Sequence, residues 1–429
     1  MHLLSFLASP LSCLFISAIV FPYPTSAQDR TTEQGEAQIL DPTVECAPYQ
    51  YPPVDDAQGN FPPSWTVATI LSNDSDAQAR YQSIEGLIPK IPPKGRKADS
   101  ANGNFGGFKY DPNDPDCWWT YSMCTTPNVS GVPDDIAAVP EPNTLGYGFD
   151  DGPNCSHNAF YDYLLSNDQK ATMFYIGSNV QQFPLEAQRA LADGHQICVH
   201  TWSHHYMTAL TNDEAFAELW YSMQIIKLVV GVTPTCWRPP YGDVDNRIRA
   251  IANALGLMTI MWQFDSEDWL GIESVTKVNN NYMDLITAAQ NGTFSTSGTI
   301  MLTHELTNFT MSEAVSFYDQ VASAFSYLVP VGVALNVTAP YVEDGYTLPS
   351  FAQYIGGMHV VSTTGSGSGG GSTSAPSVGG SSDGSGTSGS TTTGNSTNTS
   401  KSGAAKVSLK RVDSFASAAV LVTGILFML

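Results

Sequence analysis

His200 and His204 stand four residues apart, close enough to present two ring nitrogens to one metal ion from a turn of helix or a tight loop. A carboxylate from elsewhere in the chain would complete three ligands and leave a position open for water. His205 adds another imidazole, and spacing alone does not say which of these neighbours faces inward. Upstream, Gly148-Phe149-Asp150-Asp151-Gly152-Pro153 sets two acids side by side before a sharp turn. Successive side chains point in different directions, so one aspartate can bind metal while the other faces a substrate. Downstream lie Arg238, Asp265, Asp268 and His304. Together these residues could hold one metal ion with a position open for water and set further polar groups around it.

Such residues need elements to hold them. Residues 144–149 read as a strand, 156–165 as a helix that Ser156 could cap, and 171–176 as a second strand. A helical stretch at 185–193 and a third strand at 196–201 follow. Thr211-Asn212-Asp213-Glu214 has the form of a capping box and opens a long helix toward Val230. Short strands are expected near Cys236, at 257–262 and at 299–303, with helices at 244–255 and 312–327. Strand alternating with helix at this spacing implies a parallel sheet covered by helices. Asp150 and Asp151 follow the first strand, His200, His204 and His205 the third, and Arg238 the next; Asp265 and Asp268 follow another, and His304 the last. Every candidate falls at the C-terminal end of a strand, and in a (β/α) barrel those ends converge on one mouth.

The same residues carry a resemblance. The segments Gly148-Phe149-Asp150-Asp151-Gly152-Pro153 and His200-Thr201-Trp202-Ser203-His204 resemble the first two motifs of the NodB-type polysaccharide deacetylases, carbohydrate esterase family 4. Arg238-Pro239-Pro240-Tyr241 is similar to the third, Asp265-Ser266-Glu267-Asp268-Trp269 to the fourth and Leu302-Thr303-His304 to the fifth. All occur in family order between residues 143 and 340; Gly148, where Thr or Ser is common, is the visible departure. The resemblance implies a distorted (β/α) barrel and one divalent metal, usually zinc with cobalt possible, on Asp151, His200 and His204. It implies Asp150 as general base, oriented by Arg238, and His304 as general acid, oriented by Asp265. Tyr241, Trp269 and Leu302 would shape the acetyl pocket, with a backbone N–H near Tyr241 as a second oxyanion donor. The implied reaction is hydrolysis of the N-acetyl groups of chitin to chitosan and acetate, in fungal cell-wall remodelling. Alternatives are another acetylated polysaccharide such as acetylxylan, or a silent wall mannoprotein that binds chitin without cleaving it.

The ends and the average composition frame this body. Residues 3–20 are almost wholly apolar and lead to Thr25-Ser26-Ala27, the form of a signal peptide cleaved after Ala27. Residues 362–403 are nearly all Ser, Gly, Thr and Asn and read as a flexible stalk. Residues 404–429 end in an apolar run behind a polar spacer, which with Ser402 or Gly403 as attachment residue forms a glycolipid-anchor signal. The expected location is the outer face of the plasma membrane, the cell wall, or both, with the chain a monomer. Residues 28–140 carry no recognised motif and could wrap the barrel or form a separate cap; residues 141–361 form the catalytic body. Sequons stand at Asn73, Asn128, Asn154, Asn291, Asn308, Asn336, Asn395 and Asn398. Without Cys13, six cysteines remain; an oxidising compartment makes disulfides the default, and Cys117–Cys124 is an attractive local pair. Cys117-Trp118-Trp119-Thr120-Tyr121 could stack on sugar rings at the cleft edge or belong to the core. With 18 Lys and Arg against 40 Asp and Glu, the net charge of −22 argues against nucleic acid as a partner.

Overall fold

The computed structural model describes residues 29–96, 103–358 and the backbone of 361–362. The expected leader, the stalk beyond Ser362, the sequons at Asn395 and Asn398, and the attachment residues Ser402 and Gly403 lie outside the described residues. No helix among the described residues is long and apolar enough to cross a membrane.

The barrel strands are β1 (Thr144–Gly146), β2 (Gly148–Gly152), β3 (Thr172–Tyr175), β4 (Gln196–Val199), β5 (Cys236–Trp237), β6 (Met258–Thr259), β7 (Phe264–Asp265), β8 (Thr299–Leu302) and β9 (Tyr327–Val329). Pairing is parallel throughout, in the orders β2-β3-β4-β5-β6 and β7-β8-β1-β9. An isolated parallel bridge between Asp150 and His304 joins the two sheets at the mouth. Strands such as Thr172-Met173-Phe174-Tyr175 are buried at every position, as β-branched and aromatic residues must be when helices cover the outside and side chains fill the inside. β9 pairs with β1 along its whole length, from Thr144 opposite Tyr327 to Gly146 opposite Val329, and Val331 N–H then donates to Thr172 Oγ1 of β3 at 2.8 Å.

Helices Asn158–Ser166, Pro184–Ala192, Asn212–Val230, Asn246–Ala254 and Asn308–Ala324 alternate with these strands. Thr211 and Glu214 form a reciprocal capping box at the start of the longest, and Gly231 ends it at φ 88°, a left-handed position suited to glycine. Several expectations need correcting. Asp150 and Asp151 lie inside β2, since the ladder to β3 continues through them. Ser156 caps no helix; its hydroxyl donates to Asn154 and Asn308, and His157 occupies the cap position without a side-chain bond. The helix Val275–Gln290 was not anticipated, and the expected helix over 312–327 instead stops at Ala324 and gives way to β9.

Residues 29–96 and 103–143 lie on the barrel as short helices and loops. Cys46–Cys155, Ala68 N–H to Glu218 (2.8 Å) and the buried Lys94–Asp245 ion pair (2.6 Å) tie them down. The other bridges are Cys117–Cys124 and Cys198–Cys236, the latter linking β4 to β5.

Candidate active site

Local backbone turns the acid pair toward the mouth. The β2–β3 register shifts between Asp150 and Gly152, a bulge centred on Asp151, whose φ is 72°. Thr201, His204, Tyr241 and Glu267 also have φ between 52° and 65°. Left-handed non-glycine residues are costly, and their gathering at the strand ends marks a built site. The loop carrying both histidines hangs from one buried carboxylate. Glu218 accepts from Trp202 N–H (2.9 Å), Ser203 N–H (2.8 Å) and Ser203 Oγ (2.6 Å).

The donor set fits a metal ion. Asp151, His200 and His204 offer ligand atoms all within 4.8 Å of one another. His200 Nδ1–H donates to the Arg238 carbonyl at 2.8 Å, which fixes the tautomer and leaves Nε2 a lone pair. That Nε2 stands 3.3 Å from Asp151 Oδ1, and His204 Nε2 stands 3.1 Å from the same oxygen. Asp151 Oδ1 is buried with no hydrogen bond, an orphaned acceptor of the kind a cation satisfies. His205 is turned aside, its Nδ1 bonded to Ser203 Oγ at 2.8 Å.

Two charge pairs flank the cluster. Arg238 Nη1 donates to Asp150 Oδ1 at 2.6 Å, both side chains being buried, while the guanidinium stacks 3.9 Å from the Phe174 ring centre. Across the mouth, His304 Nδ1 bonds Asp268 Oδ1 at 2.5 Å and His304 N–H donates to Asp268 Oδ2 at 3.0 Å. Burial alone would push the His304 imidazolium down, yet Asp268 against it, with Asp151 and Asp150 nearby, lifts it to about 10. This corrects the assignment of Asp265 as the orienting acid. Asp265 instead accepts from Glu267 N–H at 2.8 Å, and burial pushes its carboxyl up to about 6. The one-turn helix Asp268–Leu270 carries Asp268 inward under His304, which sequence spacing within the motif could not reveal.

Glu305 is a residue that sequence reasoning passed over. It is fully buried and bonds Asn154 N–H (2.9 Å), His157 Nδ1 (2.8 Å) and Tyr161 Oη (2.9 Å). A Cβ at residue 152 would stand 2.5 Å from its Oε2, so Gly152 is required for that approach. Its signal was an acid directly after His304, at the end of the apolar run Ile300-Met301-Leu302. His195 is likewise buried, accepting from Ala171 N–H at 3.1 Å, and burial lowers it to about 3. Tyr241 is 52% exposed and Trp269 45% exposed at the rim, whereas Leu302 is buried on β8. Asn73, Asn128, Asn291, Asn308 and Asn336 are exposed; Asn154 is half-buried beside the mouth.

The profile of the family described as polysaccharide deacetylase matches residues 138–260, from before β1 to the end of β6. Over 338 residues the chain is 51% identical to chitin deacetylase 2 of Cryptococcus neoformans, covering 78% of this chain and 74% of that one. It is 45% identical over 320 residues to chitin deacetylase of Amylomyces rouxii, covering 72% and 74%. The chitin deacetylase structure from Colletotrichum lindemuthianum aligns at a TM-score of 0.44 and 23% identity over 47% of this chain and 91% of that one. The chain belongs to the polysaccharide deacetylase family.

Proposed function

We propose that this chain is a metal-dependent hydrolase that removes N-acetyl groups from chitin, giving chitosan and acetate. The observation that carries this reading is the pair of oppositely built couples, Arg238–Asp150 and Asp268–His304, on either side of a three-ligand cluster. The identity of half the residues to a chitin deacetylase over most of both chains supports the substrate.

Asp151, His200 and His204 are the residues that would hold the cation, and two imidazole nitrogens with one carboxylate oxygen suit zinc, with cobalt as the alternative. When bound, such an ion supplies a Lewis acid and brings the pKa of water toward about 7. Amides resist hydrolysis because hydroxide is scarce and the amine leaves poorly. Asp150, anchored by Arg238, takes the proton of the attacking water. His304, kept charged by Asp268, gives its proton to the departing nitrogen so that a neutral amine leaves. The exposure of Tyr241 and Trp269 supports their having a part in meeting an entering sugar ring.

The test is acetate release by the purified protein from N-acetylglucosamine oligomers and from acetylxylan, after chelation and again after adding zinc. Release from the oligomers that stops on chelation and returns with zinc is expected. No release from any N-acetylated oligomer would overturn the reading, and release from acetylxylan alone would move the substrate to esters.

We propose for the same chain a leader removed after Ala27 and a glycolipid at Ser402 or Gly403, holding a monomeric enzyme at the outer face of the plasma membrane and in the cell wall. Treating cells with a phosphatidylinositol-specific phospholipase should release it; retention on the membrane would count against the anchor.

A further inference from the structure

Residues ahead of the family profile extend outward from Tyr241 an aromatic run whose outer rings, Phe105, Phe108 and Tyr121, the reaction chemistry does not use. It starts at the ligand cluster, where the Tyr241 ring lies 4.6 Å from His204. Tyr241 stacks on Tyr206 at 4.1 Å with 18° between planes, and Tyr206 meets Phe105 edge-on at 5.2 Å. Phe105 contacts Trp118 at 5.0 Å, and Trp118 in turn backs Phe108 at 5.9 Å and lies parallel to Tyr121 at 6.4 Å. The rings at the two ends face solvent: Tyr241 is 52% exposed, Tyr121 45% and Phe108 40%, whereas Trp118 behind them is buried.

This surface is rigidly joined to the mouth. Asp243, two residues beyond Tyr241 and fully buried, accepts from Trp118 Nε1 (2.7 Å), Thr120 Oγ1 (2.6 Å) and Thr208 N–H (2.8 Å). Trp119 N–H donates to Val244 O at 3.0 Å, and the Cys117–Cys124 bridge closes the loop that presents Tyr121. One carboxylate thus fixes the outer rings to the turn that carries Tyr241. Exposed rings at both ends of a run joined by the half-buried Tyr206 and Phe105, leading out of a polar site, mark a ligand path. Stacking rings suit the C–H faces of neutral sugars, and a chain with 18 basic against 40 acidic residues disfavours an anionic polymer.

We propose that the aromatic run from Tyr241 through Tyr206 and Phe105 to Phe108 and Tyr121 is an extended glycan-binding ledge, taking neutral sugar residues of the polymer remote from the acetamide being cleaved. It rests on the deacetylase reading for its substrate and adds to it a dependence on chain length, supplied at its outer end by Phe105, Phe108 and Tyr121, which precede residues 138–260.

The experiment uses the full chain carrying Phe108→Ala with Tyr121→Ala, and a ring-keeping control, Phe108→Tyr with Tyr121→Phe. Two quantities are measured: binding of the N-acetylglucosamine hexamer by calorimetry, and kcat/KM for the hexamer and the dimer. The alanine variant should bind the hexamer about tenfold more weakly and lower the hexamer-to-dimer ratio of kcat/KM by about tenfold, while the control stays near wild type. Turnover by wild type with hexamer binding and the ratio unmoved in the alanine variant overturns the ledge and leaves the deacetylase reading intact. Weakened hexamer binding with no turnover by any form supports the ledge and removes that reading.

Discussion

The two charge pairs at the mouth are mirror arrangements with different tasks. In one, a buried cation on the strand-end after β5 holds an anion, Asp150, by a single bond of 2.6 Å. In the other, a buried anion after β7 holds a cation, His304, through both its ring and its backbone N–H. Arg238 cannot lose its proton under ordinary conditions, so its pair is electrostatically fixed and its work is placement. His304 must gain and lose a proton, so its partner sets the pH at which it can act. A base is placed by a permanent charge, and an acid is tuned by a titratable one.

Asp150→Asn breaks the first pair at its working end. Acetate release should fall by about 10²- to 10⁴-fold, with metal content by elemental analysis unchanged because Asp151, His200 and His204 remain. Loss of the metal in that variant would show the two aspartates to be exchanged. Asp268→Asn breaks the second pair, with an expected loss of about 10²-fold at neutral pH. Because His304 is raised from 6.5 to about 10, the wild-type rate should hold into alkaline solution, and the variant's alkaline limb should move to lower pH. The stability carried by the charged His304 is complete below about pH 6.5 and is lost as pH rises through about 10. The gap in melting temperature between wild type and Asp268→Asn should therefore shrink with rising pH, and a constant gap would contradict the tuning role. Arg238→Lys keeps the charge but gives up the planar stack on Phe174. A fall of about tenfold in kcat with an unmoved alkaline limb is expected, separating placement from tuning. Asp265→Asn should do least: a change within about twofold and no shift of that limb. A shift as large as that of Asp268→Asn would return the orienting role to Asp265.

The barrel and its mouth were legible because their signals are periodic and local. Capping residues at Thr211 and Glu214, alternation of apolar runs with helices, and polar residues at strand ends all report on neighbours in sequence. The choice between Asp265 and Asp268 was not legible, since both are acids in one short motif and only the tight helical turn at Asp268–Leu270 decides which reaches His304. Glu305 stayed hidden because its partners, Asn154, His157 and Tyr161, lie 144 to 151 residues earlier in the chain and meet it only when β2 comes to rest beside the end of β8. The helix Val275–Gln290 was missed for its polar composition, with buried positions only at Val278, Tyr282, Leu285 and Ile286. The N-terminal wrap was unreadable for a related reason: short helices are held by distant anchors such as Glu218 and Asp245, not by any pattern of their own.

The bridge between Asp150 and His304 has a further consequence. Asp150 N–H donates to Thr303 O at 2.9 Å and Glu305 N–H donates to Asp150 O at 2.8 Å, so base and acid stand directly opposite one another on neighbouring strand ends. The spacing of their main chains is set by this pairing, and Arg238 and Asp268 then fix where the carboxylate and the imidazole stand upon it. The amide hydrogens of Asp150 and Glu305 should accordingly trade with deuterium only when the whole barrel opens, which gives the catalytic spacing a clock that runs without substrate.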